Sequence, residues 1–360
     1  MQAMLHAPLR HITRRALLVA ALPLLLAACH TPRDHSDNNK VVPLPKLPAG
    51  PIDLRVAYLV NARLPRMNAE QLGVLLAATQ QAAQEHFGVE LRFTGAPVEI
   101  PIAQAFAAIP ATRREAALKD TYDFKTGRGD RARLDKAYAQ EFAQGQGPLS
   151  ELIAYAQPYA PGLRTDSTAT EFGAAMAALQ LQRLQGWRAT RALDGGPAIE
   201  DGNEFNAYPM WVALGYSHLP YELVLTNQLI ASIEYVDPEV HSAVRGGYAN
   251  GLTTYSQEAR FGTMSVWSTY GFTGNDPALV QWRHGERYEP LEAARLAGLS
   301  AAHEIGHQLF HFLHPYAKPA CLMDPVPMFA YRAWAKGLSA RDCPVGSDPA
   351  LVPGAYRFRF

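Results

Sequence analysis

Residues 290–325 read PLEAARLAGLSAAHEIGHQLFHFLHPYAKPACLMDP. Pro290 is a good first helical residue, because the N–H it lacks would be unpaired there anyway. A helix of about 20 residues is expected from it through Phe310, roughly 30 Å long by the rise per residue. Near the end of that helix stands His303-Glu304-Ile305-Gly306-His307, an HExxH pattern. Residues four apart share a helix face, about 5–6 Å apart at Cβ. Two imidazoles so placed can converge on one Zn²⁺. Glu304, beside the first of them, can take a proton from a metal-bound water.

A catalytic zinc uses three protein ligands and keeps one position open. No glutamate follows Glu304 in the chain, so His311, His314 and Asp324 are the nearby choices for the third. His311 continues the four-residue series, but its Cα lies about 12 Å along the axis from that of His303. Three histidines down one straight helix make a poor tetrahedral corner. His314 precedes Pro315, which cannot continue a helix and holds its neighbour extended. His314 is therefore the expected third ligand, on the segment leaving the helix, and His311 a packed or capping residue. Asp324 as third ligand is the alternative.

The HEIGH stretch, a histidine just past the helix, and Ala320-Cys321-Leu322-Met323 together resemble the archaemetzincins, a branch of the metzincin metallopeptidases. The likeness is good over 303–346 and loose over the strands around 222–268. It implies an α+β fold: a mixed twisted sheet with a βαβ start and a long active-site helix. It also implies that Met323 is the methionine of a turn beneath the metal. The spacing from His307 to His314 is one residue longer than the family's HExxHxxGxxH, which would put His311 where glycine makes a left-handed turn. Histidine tolerates that conformation better than most residues. The family binds a second, structural zinc through four cysteines. Only Cys321 and Cys343 match; Pro315 and Gly346 stand at the other two positions. The structural zinc is therefore expected to be absent, with Cys321 and Cys343 paired as a disulfide. Pro325 replaces the tyrosine that often follows the methionine, so no transition-state stabiliser is assigned.

The N-terminus has another role. Arg10, Arg14 and Arg15 precede the apolar run ALLVAALPLLLAA, a signal-peptide pattern too short to span a bilayer comfortably. It ends in Leu26-Ala27-Ala28-Cys29, which resembles the lipobox of bacterial lipoproteins. That implies cleavage after residue 28 and a lipid on Cys29. His30 is not the aspartate that holds some lipoproteins at the inner membrane, so the outer membrane facing the periplasm is expected. That compartment is oxidising and suits a disulfide. Residues 29–51 then read as a flexible, proline-rich tether. The peptidase domain is expected over 52–360.

Within it, IDLRVAYLV reads as a strand from Ile52. Asn68 and Gln71 form a capping box for the next helix, Met67 can staple to Leu72, and Gly88 stops it. VELRF follows as a second strand, which suggests a parallel βαβ unit. Residues 100–205, rich in Ala, Gln and Arg, read as a mainly helical insertion. Strand character returns in YELVLTNQLIASIEYV and RFGTMSVWSTYGF, and the metzincin resemblance implies that RFGTMSVWS lies along the cleft edge.

The chain has 360 residues, 48% of them hydrophobic, and no net formal charge. That is ordinary globular composition and gives no reason to expect nucleic acid as partner. The expected activity is zinc-dependent hydrolysis of peptide bonds, endo- or aminopeptidase, by a monomer held to the membrane through its lipid. A non-hydrolytic, zinc-binding envelope lipoprotein on a degenerate protease scaffold is the alternative.

Overall fold

Arg55 breaks the first strand in two. Its backbone N–H donates to the Glu222 carboxylate at 2.7 Å, and its guanidinium pairs with the same group. The single strand predicted over IDLRVAYLV is therefore β1 (Ile52–Leu54) and β2 (Val56–Val60), which enter different sheets. Helix α1 (Ala69–Phe87) follows. Its capping box is closed by Gln71 N–H to Asn68 Oδ1 at 2.9 Å and Asn68 N–H to Gln71 Oε1 at 2.8 Å. Gly88, at φ 71°, ends it. Then come β3 (Leu91–Phe93), which pairs in parallel with β1, and β4 (Val98–Pro101), which pairs in parallel with β2.

The fold is mixed α/β around a mostly parallel sheet, compatible with an α+β class. Between β4 and β5 (Leu223–Thr226) the described chain is largely helical: α2 (Ile102–Phe106), α3 (Ala111–Lys119), α4 (Arg131–Ala143), α5 (Leu149–Ala156), α6 (Ala169–Trp187) and α7 (Tyr208–Gly215). After β5 come α8 (Val240–Val244), β6 (Gly251–Tyr255), β7 (Thr263–Ser268), α9 (Pro277–Trp282), α10 (Pro290–Phe310) and α11 (Tyr331–Gly337). The five-stranded sheet has the order β4-β2-β5-β7-β6, parallel except for β6. Residues along β2 alternate between the two faces. Val56, Tyr58 and Val60 join the core with α1 and α10; Ala57 and Leu59 join the core with α2 and α7. Burial on both faces is what a parallel strand covered by helices requires.

One expectation needs correction. RFGTMSVWS does not line the cleft edge: β7 lies inside the sheet, between β5 and β6. The short return from β6 to β7 makes the two antiparallel neighbours and leaves GLTTY, β6, outermost. Helix α10 packs along α1 and against β6 and β7. Gly298 permits the close approach to α1, since a Cβ there would sit 2.2 Å from Leu75 O. Thr79 Oγ1 bridges the two helices at 3.0 Å from both Leu75 O and Gly298 O.

This computed structural model describes residues 40–358, apart from 120, 122–130, 144–147, 200–203, 234–237, 257–259 and 327–328. The elements named above lie in the unit Val42–Tyr356. The expected signal sequence 1–28, Cys29 and residues 30–39 of the expected tether lie outside the described residues. Among the described residues, no helix is long and apolar enough to cross a membrane.

Candidate metal centre

His303 and His307 project from one face of α10, and His314 returns to meet them. Helix α10 ends at His311, which takes the left-handed conformation (φ 53°, ψ 37°); its N–H bonds back to His307 O at 3.0 Å and the next N–H, of Phe312, reaches Gly306 O at 3.5 Å. That reversal turns the chain within three residues. Leu313 N–H then fastens the returning segment to Ala350 O at 2.8 Å. The Nε2 atoms of His303, His307 and His314 lie 3.0–3.1 Å from one another. His311 thus caps the helix and stays out of the trio. Asp324 is buried and outside it too.

The partners of the other ring nitrogens set the tautomers. His303 Nδ1 lies 2.9 Å from Leu322 O, and His307 Nδ1 lies 2.5 Å from Phe312 O. A carbonyl only accepts, so both Nδ1 atoms carry the proton. His314 Nδ1 lies 3.0 Å from the Glu239 carboxylate. Three Nε2 lone pairs therefore face one another. Burial, then the neighbouring rings, lower the affinity of His303 and His307 for protons; His307 is held down to about 3. Neutral imidazoles with converging lone pairs and no shared proton are a donor set for a cation, and zinc, copper, nickel and iron all accept imidazole. The residues fit a metal.

Glu239 is the partner that sequence reasoning missed. Its side chain is 42% exposed overall, yet Oε2 is buried, 3.0 Å from His314 Nδ1 and 3.1 Å from His241 Nδ1. Burial pushes its carboxyl up, but His314 and His241 outweigh that and hold it well below the usual range. Glu239, His241 and His314 form a second group able to take a metal. His314 belongs to both through different nitrogens. A neutral imidazole has only one lone pair, and the adjacent carboxylate favours the proton on Nδ1. That leaves Nε2 for the first group. Glu239 lies 75 positions before His314, and the only local hint is that it stands two residues from His241.

Glu304 is buried beside the trio, and its Oε2 accepts a hydrogen bond from Thr253 Oγ1 of β6 at 2.7 Å. Burial pushes its carboxyl up to about 8, against the lowering effect of Thr253. Met323 packs beneath α10 at Gly306, where a Cβ would lie 2.4 Å from the methionine sulfur. The carbonyl that orients His303 belongs to the preceding residue, Leu322. Cys321 and Cys343 form a disulfide with Cα atoms 5.1 Å apart, which ties this turn to the segment after α11. Neither thiolate is left to serve as a metal ligand.

Comparison of the chain with protein families, with curated proteins and with solved structures finds no match. What the site does has to be read from its own residues.

Proposed function

We propose that the protein is a zinc-dependent, metzincin-like peptidase. The observation that carries this reading is the convergence of three imidazole lone pairs beside a buried carboxylate that ligates nothing. His303, His307 and His314 would hold the ion, which would supply Lewis acidity and a water of lowered pKa. Glu304 takes the proton from the attacking water and passes it to the leaving amine. Thr253 holds the Glu304 carboxylate in place for that transfer. Strand β6, outermost in its sheet, offers its edge to an extended peptide, which would add as a further strand. Glu239 orients His314 and fixes its tautomer, as carboxylates beside metal-bound histidines do.

The binding-only alternative has no use for a carboxylate in the position of Glu304. The extra residue between His307 and His314 is absorbed by the left-handed turn at His311. The test is metal analysis of the fragment 30–360, with a peptidase assay on denatured protein mixtures. One zinc per chain and hydrolysis lost in Glu304→Gln, with zinc retained, is the expected result. Zinc without hydrolysis in the parent would transfer the reading to the binding scaffold.

We propose also that residues 1–28 are a lipoprotein signal and that Cys29 carries the lipid, placing the protein in the outer membrane. Labelled palmitate should enter the parent and not Cys29→Ser.

A further inference from the structure

The cavity at the candidate metal centre, about 190 Å³, is lined by a guanidinium that forms no ion pair among the described residues. Arg245, at the end of α8, is only 5% exposed and lines this cavity. Its Nε and Nη2 both donate to Val326 O. Nη1 makes no hydrogen bond among the described residues and is not sealed from solvent, and no carboxylate pairs with the guanidinium. Glu304 and Asp324 feel its charge, but neither forms an ion pair with it. Guanidinium carries five N–H donors and cannot shed its proton. Burying it against one carbonyl is costly unless an anion completes it.

Asn250 lines the same cavity and adds a second free donor. Its Oδ1 accepts from Tyr331 O–H at 2.8 Å, which fixes the amide so that Nδ2 is the unused end. Trp267 and Trp334 also line the cavity, but their indole N–H groups are sealed from it. The cavity wall thus presents the Arg245 and Asn250 donors, with a fixed positive charge among them.

We propose that Arg245 and Asn250 form a subsite for a substrate carboxylate, so that the enzyme acts next to a negatively charged group. The cavity is smaller than the usual ligand pocket of about 300–1,000 Å³. A cavity of that size favours a short stretch of peptide beyond the scissile bond. The carboxylate is therefore the free C-terminus of the peptide, and the cleavage is of carboxypeptidase type. This inference rests on the peptidase reading above, and its test is a binding measurement independent of turnover.

The experiment uses Glu304→Gln protein, with zinc and again in EDTA, titrated by calorimetry with three peptides. They are acetyl-Ala-Ala-Phe-Leu as free acid, the same peptide as amide, and acetyl-Ala-Ala-Phe-Glu amide. The free acid should bind about tenfold or more tighter than its amide, as a charge-assisted pair to a buried guanidinium does. Adding Arg245→Met should abolish that preference, and Arg245→Lys should restore part of it. Asn250→Asp, which keeps the acceptor for Tyr331, should weaken the acid and leave the amide unchanged. This variant decides the matter if Arg245→Met fails to fold. Equal gain for the glutamyl amide would make an acidic side chain the carboxylate source. Acid and amide binding alike, a preference untouched by both variants, or no binding at millimolar peptide would overturn the subsite. If the preference holds while the parent hydrolyses nothing, the subsite stands and the peptidase reading falls.

Discussion

Gly306 and Met323 are in direct contact: a methyl group on Gly306 would come within 2.4 Å of the Met323 sulfur and 2.9 Å of Phe87 Cζ. The glycine of HEIGH is thus the seat of Met323. Gly306→Ala gains helix propensity worth about 1 kcal/mol but overpacks a filled site, which typically costs about 1–3 kcal/mol. The expected outcome is a net loss of stability together with weaker metal binding. The pair should be non-additive: Gly306→Ala with Met323→Ala should be more stable than the two single effects sum to, because the new methyl enters the space the sulfur left. Denaturant unfolding of the four proteins measures this, and strict additivity would contradict the contact.

His314→Ala should strip the metal, whereas His311→Ala and Asp324→Ala should leave most of it bound, since neither side chain enters the trio. Glu239→Gln should weaken metal affinity about 10–100-fold, the usual cost of losing a carboxylate behind a metal-bound histidine. Competition with a chromophoric chelator reads both. Full affinity in Glu239→Gln would remove Glu239 from the site.

Cys321 and Cys343 close a loop across a separation of 22 residues. Loop-entropy arithmetic gives the bond a worth of about 3 kcal/mol. Cys321→Ser with Cys343→Ser should therefore unfold more easily by roughly that amount. It should also bind metal less tightly, because Leu322 O, which orients His303, sits beside the bond. An unchanged denaturant midpoint would show that the bond constrains nothing.

Asp324 gives the fold a pH dependence. Burial, against N–H bonds from Lys318 and Ala317, pushes its carboxyl up to about 7 from the ordinary 3.8. Between about pH 4 and 7 the unfolded chain has lost this proton while the native state still holds it. Native protein binds more protons, so the contribution of Asp324 to stability declines as pH rises through that window. Asp324→Asn removes the term. Measured on metal-free protein, the stability of the variant relative to the parent should improve as pH goes from about 4 to 7. A pH-independent difference would contradict the buried acid.

Several features follow from the chain alone because they are local. Pro290 starts α10, Asn68 and Gln71 cap α1, and Gly88 ends it; each depends on bonds spanning three or four residues. The pairing of His303 with His307 follows from helix periodicity. The exit of the chain at His314 follows from Pro315. Even the left-handed turn at His311 is legible, given the extra residue before His314 and histidine's tolerance of positive φ.

Tertiary structure decided the rest, and the reason is separation along the chain. The split of the first strand at Arg55 depends on Glu222, 167 residues away. The outermost place of β6 depends on the order in which distant strands assemble, which no local pattern encodes. The carboxylate of Glu239 behind His314, the donation from Thr253 to Glu304, and the Arg245 guanidinium in the same cavity, without an ion pair among the described residues, arise only when α8, β6 and α10 meet. A histidine's role as ligand is written in its spacing. The proton on its far nitrogen is written in whatever packs behind it.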